Sequence, residues 1–414
     1  MSIGTPVRFA ATRVRGLLSC GLALALLAAG DARGACTLTC SGSIVMNAVA
    51  GDQVPFEAIA TATGCTGSPS FQWNFGDGTT STLRTGTHVF ANPGLYPVTL
   101  SVSVPGASTC TKAGTVSVSY VPLPGDDVTV STFAGRTGVV GKDDGPAEFA
   151  TFSDIYGVAP DAVGNIFVAD FNNTIRKIST AGVVTTVAGR AGSSGYADGP
   201  ATQARFHNPR GMVFDVNGIL LVADYFNCTI RKVTPDGQVS TFVGTGKSCG
   251  AKDGWNSEAR FNNPNGLALG RNGFLYVADS GSHTIRVVSP DGKVMTLAGQ
   301  AGVSGNADGS AFSARFNYPH SLSFDDAGNL YVSEGTGRRI RRISPDGVVS
   351  TVIDMSTSRY GEFAAYPEGI TVAPDGALYI VDWARYAVFK LPLGDTLRVL
   401  AGLPGSRGTS DGTG

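Results

Sequence analysis

The chain has 414 residues, with 31 lysines and arginines against 32 aspartates and glutamates, so its formal net charge is −1. This balance excludes a global attraction to nucleic acids or to anionic membranes. Charged residues make up 15% of the chain, whereas glycine occurs 56 times and proline 21 times, which indicates an all-β protein rich in turns.

The first 35 residues have the pattern of an export signal. Arg8, Arg13 and Arg15 precede an apolar run over residues 17–29, and small residues follow it. The apolar run is too short to span a bilayer and fits a cleaved leader. We therefore expect residues 1–35 to be removed, and the mature protein to be secreted, periplasmic or at the cell surface, without a transmembrane segment.

Six cysteines remain after such a cleavage. An even number in an exported protein indicates disulfides, although buried free thiols are the alternative. Four fall in residues 36–121 and two in the rest of the chain, so pairing within each region is the simplest arrangement. The candidates are Cys36, Cys40, Cys65, Cys110, Cys228 and Cys249.

Residues 36–121 carry short alternating apolar runs separated by turns, typical of an antiparallel sandwich of immunoglobulin type. Trp73-Asn-Phe-Gly-Asp-Gly78, then His88-Val-Phe90, then Gly94-Leu-Tyr-Pro-Val-Thr-Leu100 resemble a PKD domain. Asp77 and His88 fit a tight turn and its surroundings better than a catalytic pair. We expect Cys65 and Cys110 to lie in loops at one end of the sandwich and to pair, and the partners of Cys36 and Cys40 stay open. Residues 122–127 are then a short linker.

A repeat fills residues 128–414. The stretch Asn165-Ile-Phe-Val-Ala-Asp170 recurs four more times, and the acidic residues that end the copies lie 48 to 55 residues apart. Each unit continues with a further strand, which carries Ile-Arg in the first four units, and then a turn and a last strand, so it has the four antiparallel strands of a propeller blade. The predicted blades cover about residues 152–189, 206–244, 261–299, 316–353 and 366–402.

The phrase Gly328-Asn-Leu-Tyr-Val followed by Ile340-Arg-Arg-Ile343 resembles the NHL repeat, and five such units in register imply an NHL-type propeller. Residues 130–135 have the form of a final blade strand, and Asp411-Gly412 begins another connection. A sixth blade would take its last strand from residues 128–135 and three strands from beyond residue 414. We therefore expect a PKD sandwich followed by a six-bladed propeller of which this chain is a truncated piece.

Residues that recur in every blade are expected to serve the blade rather than a ligand. The acidic ends of the Val-Ala-Asp strands should accept turn hydrogen bonds, and the repeated arginines should pair with loop aspartates. The acidic set is Asp170, Asp224, Asp279, Glu334 and Asp382. The arginines are those of the Ile-Arg strands together with Arg205, Arg260 and Arg315.

One repeated position varies, just before the first strand of each blade. Because the first strand of a blade lines the central channel, these side chains should surround one end of it, which we call the channel mouth. Unlike polar groups on a repeated frame are what a ligand site needs, although polar residues at a wet channel need no ligand. The channel-mouth residues are Tyr156, Arg210, Asn265, His320 and Glu368.

Metal chemistry has few candidate ligands. A catalytic zinc takes about three protein ligands, and of His207, His283 and His320 only His320 is at the channel mouth. Pro319-His-Ser-Leu322 resembles the zinc-histidine segment of peptidyl-hydroxyglycine lyases, and Glu368 with Asn265 is similar to part of the ligand set of calcium-dependent lactonases. The resemblance makes His320 and Glu368 the candidate ligands for zinc or calcium.

Two functions stay open. The first is an exported, non-enzymatic binding protein that presents the channel face to a protein, peptide or carbohydrate, with no catalytic residue, no cofactor and no nucleic-acid partner. The alternative is a metal-dependent propeller hydrolase or lyase, lactonase-like or amidoglycolate-lyase-like. No nucleophile elbow or histidine cluster supports the second, so we expect the first.

Overall fold

The computed structural model describes residues 36–45, 47–49, 53–90, 94–119, 128–356, 365–395, 397–402 and 404–413. The predicted signal at 1–35 and the predicted linker at 122–127 lie outside these residues. The described residues up to 119 form one compact unit, and those from 128 form a second. In this described part of the chain, no helix is long and apolar enough to cross a membrane.

The first unit is a two-sheet β-sandwich, as its alternating sequence predicts. One sheet has the order β1-β3-β6 and the other β2-β8-β7-β4-β5. Alternate side chains of the strands point inward, and Trp73, Phe75 and Tyr96 fill the core between the sheets. The strands are β1 (Thr37–Ile44), β2 (Asn47–Val49), β3 (Gln53–Thr63), β4 (Ser70–Asn74), β5 (Thr80–Ser81), β6 (Thr85–Val89), β7 (Gly94–Ser103) and β8 (Cys110–Ser119).

Asp77 and His88 are structural, as expected. Asp77 accepts hydrogen bonds from the backbone and hydroxyl of Thr79, at 2.9 and 2.6 Å, and lies 2.7 Å from Nε2 of His88. The His88 ring stacks on Phe75 with a centroid distance of 3.9 Å. The pair therefore fixes the turn after β4 against the core.

The disulfides of the sandwich join Cys36 to Cys65 and Cys40 to Cys110, so the predicted pairing of Cys65 with Cys110 is wrong. The register of β1 on β3 explains the difference, because Thr37 lies opposite Thr63 and brings Cys36 beside Cys65. Cys40 points into the core, where Cys110 at the start of β8 reaches it.

The second unit is a propeller whose blades are antiparallel sheets of four main strands in chain order. In the first, third and fourth blades, a two-residue strand from the preceding connection also pairs with the last strand. The two-residue strand β9 (Thr129–Val130) precedes the first blade. The first blade contains β10 (Gly145–Pro146), β11 (Ile155–Pro160), β12 (Ile166–Asp170), β13 (Thr174–Ile178) and β14 (Val183–Gly189); the second contains β15 (Pro209–Phe214), β16 (Leu220–Asp224), β17 (Thr229–Val233) and β18 (Val239–Val243).

The remaining blades repeat this arrangement. The third contains β19 (Gly254–Trp255), β20 (Pro264–Leu269), β21 (Leu275–Asp279), β22 (Thr284–Val288) and β23 (Lys293–Gly299); the fourth contains β24 (Gly309–Ser310), β25 (Pro319–Phe324), β26 (Leu330–Glu334), β27 (Arg339–Ile343) and β28 (Val348–Asp354); the fifth contains β29 (Pro367–Val372), β30 (Leu378–Asp382), β31 (Ala387–Leu391) and β32 (Arg398–Ala401), before β33 (Gly412–Thr413). Short 3-10 helices occur at Tyr225–Asn227, Asn256–Glu258 and Ser280–Ser282.

Apolar side chains join each blade to the next. A phenylalanine in the connection before the second, third and fourth blades is buried where two blades meet, as Phe206 is with Ala169 of the first blade and Val222 of the second. Phe261 and Phe316 occupy the same place in the next two interfaces. Burial of these rings stabilises the interfaces between the first four blades.

The repeated acids and arginines hold each blade together, which confirms their structural role. Arg231 donates to Asp224 at 2.8 Å and to Asp198 at 2.5 Å, and Asp224 also accepts the backbone N–H of His207 at 2.8 Å. Arg176, Arg286 and Arg341 pair in the same way with the acids of their own blades. Burial raises the pKa of Asp224 to about 6, because the attraction of Arg231 only partly offsets the loss of water.

Two parts of this pattern differ from expectation. Arg205 donates to the backbone carbonyls of residues 202–204 rather than to a loop aspartate, because its side chain folds back on its own turn, and Arg260 and Arg315 likewise donate to the carbonyls of their own turns. In the fifth blade Phe389 stands where the others have arginine, and Arg385 lies buried 5.9 Å from its ring. The positive charge beside Asp382 therefore comes from Arg385, in the turn before β31, rather than from an arginine on the strand itself.

The short strand β33 pairs with β9. Gly412 lies opposite Val130, just as Gly145 of β10 lies opposite Val184 of β14. Residues 129–130 therefore occupy the place of a last blade strand, as the sequence predicts.

Candidate functional site

The first strands of the five blades lie side by side around the channel, in the order β11, β15, β20, β25, β29. In the first three blades a glycine after the channel-mouth residue permits this approach. A Cβ atom on Gly211 would collide with the carbonyl oxygen of Asn265, and one on Gly266 would collide with that of His320. The close spacing fixes the backbone that carries the channel mouth.

Arg210 lies against two aromatic rings at the channel mouth. Its guanidinium carbon is 4.4 Å from the ring centroid of Tyr156 and 3.9 Å from that of Tyr225. Tyr225 follows the buried Asp224, on the short 3-10 helix between β16 and β17. The structure thus brings two of the sequence-predicted residues, Tyr156 and Arg210, into contact.

The hydroxyl groups of Tyr225 and Tyr318 share a short hydrogen bond that links the second blade to the fourth. Tyr318 has a left-handed backbone with φ of 61°, and its N–H donates to Nδ1 of His283 at 3.2 Å. Burial raises the pKa of Tyr225, and the hydrogen bond to Tyr318 acts in the same direction. The Tyr225 hydroxyl is therefore neutral at physiological pH and can both donate and accept a hydrogen bond.

His320 and Glu368 form the second contact between sequence-predicted residues, with Nε2 and Oε1 separated by 3.7 Å. Burial, and then the charge of Arg210, lower the pKa of His320 to about 3, so the imidazole is neutral. Burial raises the pKa of Glu368, opposed by Arg210 and assisted by Asp382. Ser333 holds the Glu368 backbone by donating to its carbonyl at 2.8 Å.

Two aromatic rings extend this side of the channel mouth. The Tyr366 ring lies 6.4 Å from His320 and 6.0 Å from Trp383, and Trp383 is 58% exposed. Sequence reasoning missed Tyr225, Tyr318, Tyr366 and Trp383. Their positions in the repeat could have indicated them. Tyr225 and Trp383 directly follow the acidic end of a strand, and Tyr318 and Tyr366 lie two residues before a channel-mouth residue.

The side chain of Asn265 is buried at the channel mouth without a hydrogen bond from its amide nitrogen to the described residues. It is 3% exposed, and its Nδ2 has no hydrogen-bond partner among the described residues. A buried amide N–H without an acceptor is costly, so an added acceptor that reached it would stabilise the site.

The three propeller histidines do not converge. His283 serves the backbone of Tyr318, and the His207 ring packs 4.8 Å from that of Phe226. Over the described ranges, no group of three or more histidine, cysteine, aspartate or glutamate side chains is placed to hold a metal ion. Cys228 and Cys249 form the disulfide expected from the sequence, which ties the β16–β17 turn to the connection after β18.

Comparisons with known proteins agree with this architecture. The family model described as PKD domain matches residues 44–118, and the model described as NHL repeat matches residues 261–288. Human NHL repeat-containing protein 2 is 32% identical over 162 residues, which are 36% of this chain and 22% of that protein. Mouse teneurin-3 is 25% identical over 218 residues, 44% of this chain and 8% of that protein. The chain thus matches less than a quarter of either relative's length.

Among solved structures, virginiamycin B lyase from Staphylococcus aureus aligns with a TM-score of 0.41 and 16% identity, covering 59% of this chain and 69% of that one.

Proposed function

We propose that this chain, an NHL-repeat β-propeller preceded by a PKD domain, is a non-enzymatic binding protein whose channel mouth takes up a protein, peptide or carbohydrate ligand. One observation carries the proposal. At a single repeated position the five blades present unlike polar side chains, while the residues around that position keep the blade pattern. Variation confined to one end of a rigid frame is what a binding site requires.

The chemistry of the channel mouth supports binding. Arg210 supplies a cation, Asn265 an unused amide donor, and His320 a neutral imidazole. Tyr366 and Trp383 add aromatic surface on which an apolar group or a sugar ring can pack. Arg210, Asn265 and His320 lie on neighbouring first strands, so their positions are set before a ligand arrives.

Export forms part of the proposal. Three disulfides fit an oxidising compartment, since such bonds are rare in a reducing cytosol. Expression of the full chain with a reporter that is active only outside the cytoplasm would test it. Reporter activity that is lost when residues 1–35 are deleted would support export, and activity that remains would contradict the predicted signal.

The binding proposal is tested with glycan and peptide arrays probed by the purified protein and by two variants. Trp383→Ala removes exposed aromatic surface at the channel mouth, and Trp255→Ala removes a comparable exposed indole on the outer strand β19. We expect bound ligands to be weakened by the first change and not by the second. If ligand binding is weakened only by Trp255→Ala, or if the ligands bind only to the sandwich unit, the binding site lies outside the channel mouth.

A metal-dependent hydrolase or lyase is the second candidate, and the pairing of His320 with Glu368 is the observation that favours it. The test is the metal content of protein purified without chelators. Stoichiometric zinc or calcium that is lost in both His320→Ala and Glu368→Ala would support this candidate over the first.

A further inference from the structure

Arg210 differs from the buried arginines of the blades because no carboxylate of a described residue lies within 4 Å of its guanidinium. Arg176, Arg231, Arg286 and Arg341 each pair with two carboxylates. The side chain of Arg210 makes no hydrogen bond or ion pair with any described residue, and its Nε is buried without a partner. A half-buried guanidinium that lacks an acceptor has lost water without replacing it.

Aromatic contacts fix this cation in place. Tyr156 and Tyr225 lie against the guanidinium, and the hydroxyl of Tyr225 is held in turn by Tyr318. Rings that contact the guanidinium through their faces leave its N–H groups free to donate. The arrangement keeps Arg210 ordered while its hydrogen-bonding capacity is unused.

A second unused donor lies on the next strand. Asn265 on β20 is almost fully buried, its Nδ2 has no partner in the described part of the chain, and β20 neighbours the strand β15 that carries Arg210. Two unsatisfied donors on adjacent first strands call for one acceptor group that reaches both.

The charges near Arg210 limit which acceptor fits. Glu368 is within 4 Å of His320 but not of Arg210, and burial raises its pKa, so its repulsion of an incoming anion is reduced. A singly charged, planar carboxylate matches the two-pronged guanidinium edge and meets less repulsion from Glu368 than a phosphate would.

We propose that Arg210, assisted by Asn265, binds the carboxylate of an organic acid at the channel mouth. This inference rests on the proposed binding function and specifies its ligand class. The carboxylate belongs either to a free small acid or to the C-terminus of a peptide, and Tyr366 and Trp383 provide aromatic surface for the rest of the ligand.

Calorimetric titration of the full protein tests the inference with matched probes. N-acetylphenylalanine and its amide differ in that a neutral carboxamide replaces the carboxylate. A hexapeptide ending in phenylalanine is used with a free or an amidated C-terminus. We expect the free acids to bind roughly tenfold or more tightly than the amides. If the hexapeptide with a free C-terminus binds more tightly than N-acetylphenylalanine, the ligand is a peptide C-terminus. If N-acetylphenylalanine binds more tightly, the ligand is a free small acid.

Variants separate the inference from the proposed function. Arg210→Gln should remove the preference for acids, Arg210→Lys should keep part of it, and Arg271→Gln, at an exposed turn, should leave it unchanged. Thermal unfolding of each variant shows whether it is folded. If Arg210→Gln does not fold, a reduced preference for acids in Arg210→Lys tests the inference instead.

Equal binding of acid and amide, or an unchanged preference in Arg210→Gln, would overturn the carboxylate site. So would the absence of any binding by the acids. If array ligands still depend on Trp383 in that case, the channel mouth binds something other than a carboxylate and the proposed function stands.

Discussion

Asp411 accepts hydrogen bonds from the backbone N–H and the hydroxyl of Thr132, at 3.0 and 2.9 Å, although the two residues are 279 positions apart. The same contact occurs within blades, for example between Asp198 and Thr241. The contact therefore joins the two ends of the propeller segment with the chemistry that otherwise joins a blade to its own connection.

Removal of this contact should destabilise the propeller modestly. We expect Asp411→Ala and Thr132→Ala each to lower the free energy of unfolding by about 1 kcal/mol, with a smaller loss in the double variant than the two losses combined. Chemical denaturation of the three variants measures the coupling. Asp346→Ala, at an exposed turn, is the control, and strictly additive losses would show that the contact contributes nothing.

The buried ion pair of the second blade should respond strongly to loss of one partner. Arg231→Met leaves the Asp224 carboxylate buried without its cation, so we expect a loss of about 3–5 kcal/mol. Asp224→Leu combined with Arg231→Met should recover part of that loss. Arg271→Met breaks an exposed pair and should change stability by less than about 0.5 kcal/mol. A small loss in Arg231→Met would contradict a structural role for the pair.

Peptide mapping of the oxidised protein should recover the pairs Cys36–Cys65, Cys40–Cys110 and Cys228–Cys249. Replacement of Cys228 and Cys249 by serine should lower stability by about 3 kcal/mol, because the bond closes a short loop in the unfolded chain. Recovery of a Cys65–Cys110 peptide would contradict the structure of the sandwich.

His320 should make stability depend on pH. Its pKa is about 3 in the folded protein against an ordinary value of 6.5, because burial and Arg210 disfavour the imidazolium. Below pH 6.5 the unfolded chain therefore binds a proton at this histidine that the folded protein does not bind. Because that proton favours unfolding, the free energy of unfolding is unaffected above pH 6.5 and decreases as the pH falls toward 3. As the pH is lowered from about 7.5 to about 5, the wild type should lose more free energy of unfolding than His320→Gln does. Chemical denaturation at each pH measures this difference. A constant difference would mean that the imidazole titrates normally beside Glu368.

Gly211 should not tolerate a side chain, because a Cβ atom would collide with the backbone of Asn265 on the next first strand. We expect Gly211→Ala to cost about 1–3 kcal/mol and to weaken ligand binding at the channel mouth. Gly408→Ala is the matched control, since open space surrounds that position. Equal melting temperatures for the two variants would show that the first strands can move apart at little cost.

Much of this architecture was predictable because it is repeated. The strand ending in Val-Ala-Asp and the Ile-Arg strand recur in register, so each copy supports the assignment of the others. The alternating runs around Trp73 likewise predict the sandwich. The candidate site was only partly predictable: the position of Arg210 followed from the repeat, but its contacts with Tyr156 and Tyr225 did not.

The sequence by itself determined the fold class, the blade periodicity and which residues serve every blade, because these depend on local alternation and on repetition along the chain. The tertiary structure decided the partners of Cys36 and Cys40, the substitution of Arg385 for a strand arginine, the hydrogen bond between Tyr225 and Tyr318, and the absence of an acid beside Arg210 among the described residues. These depend on strand register and on which side chains meet across the channel, and residues up to 93 positions apart meet there only after the blades have packed.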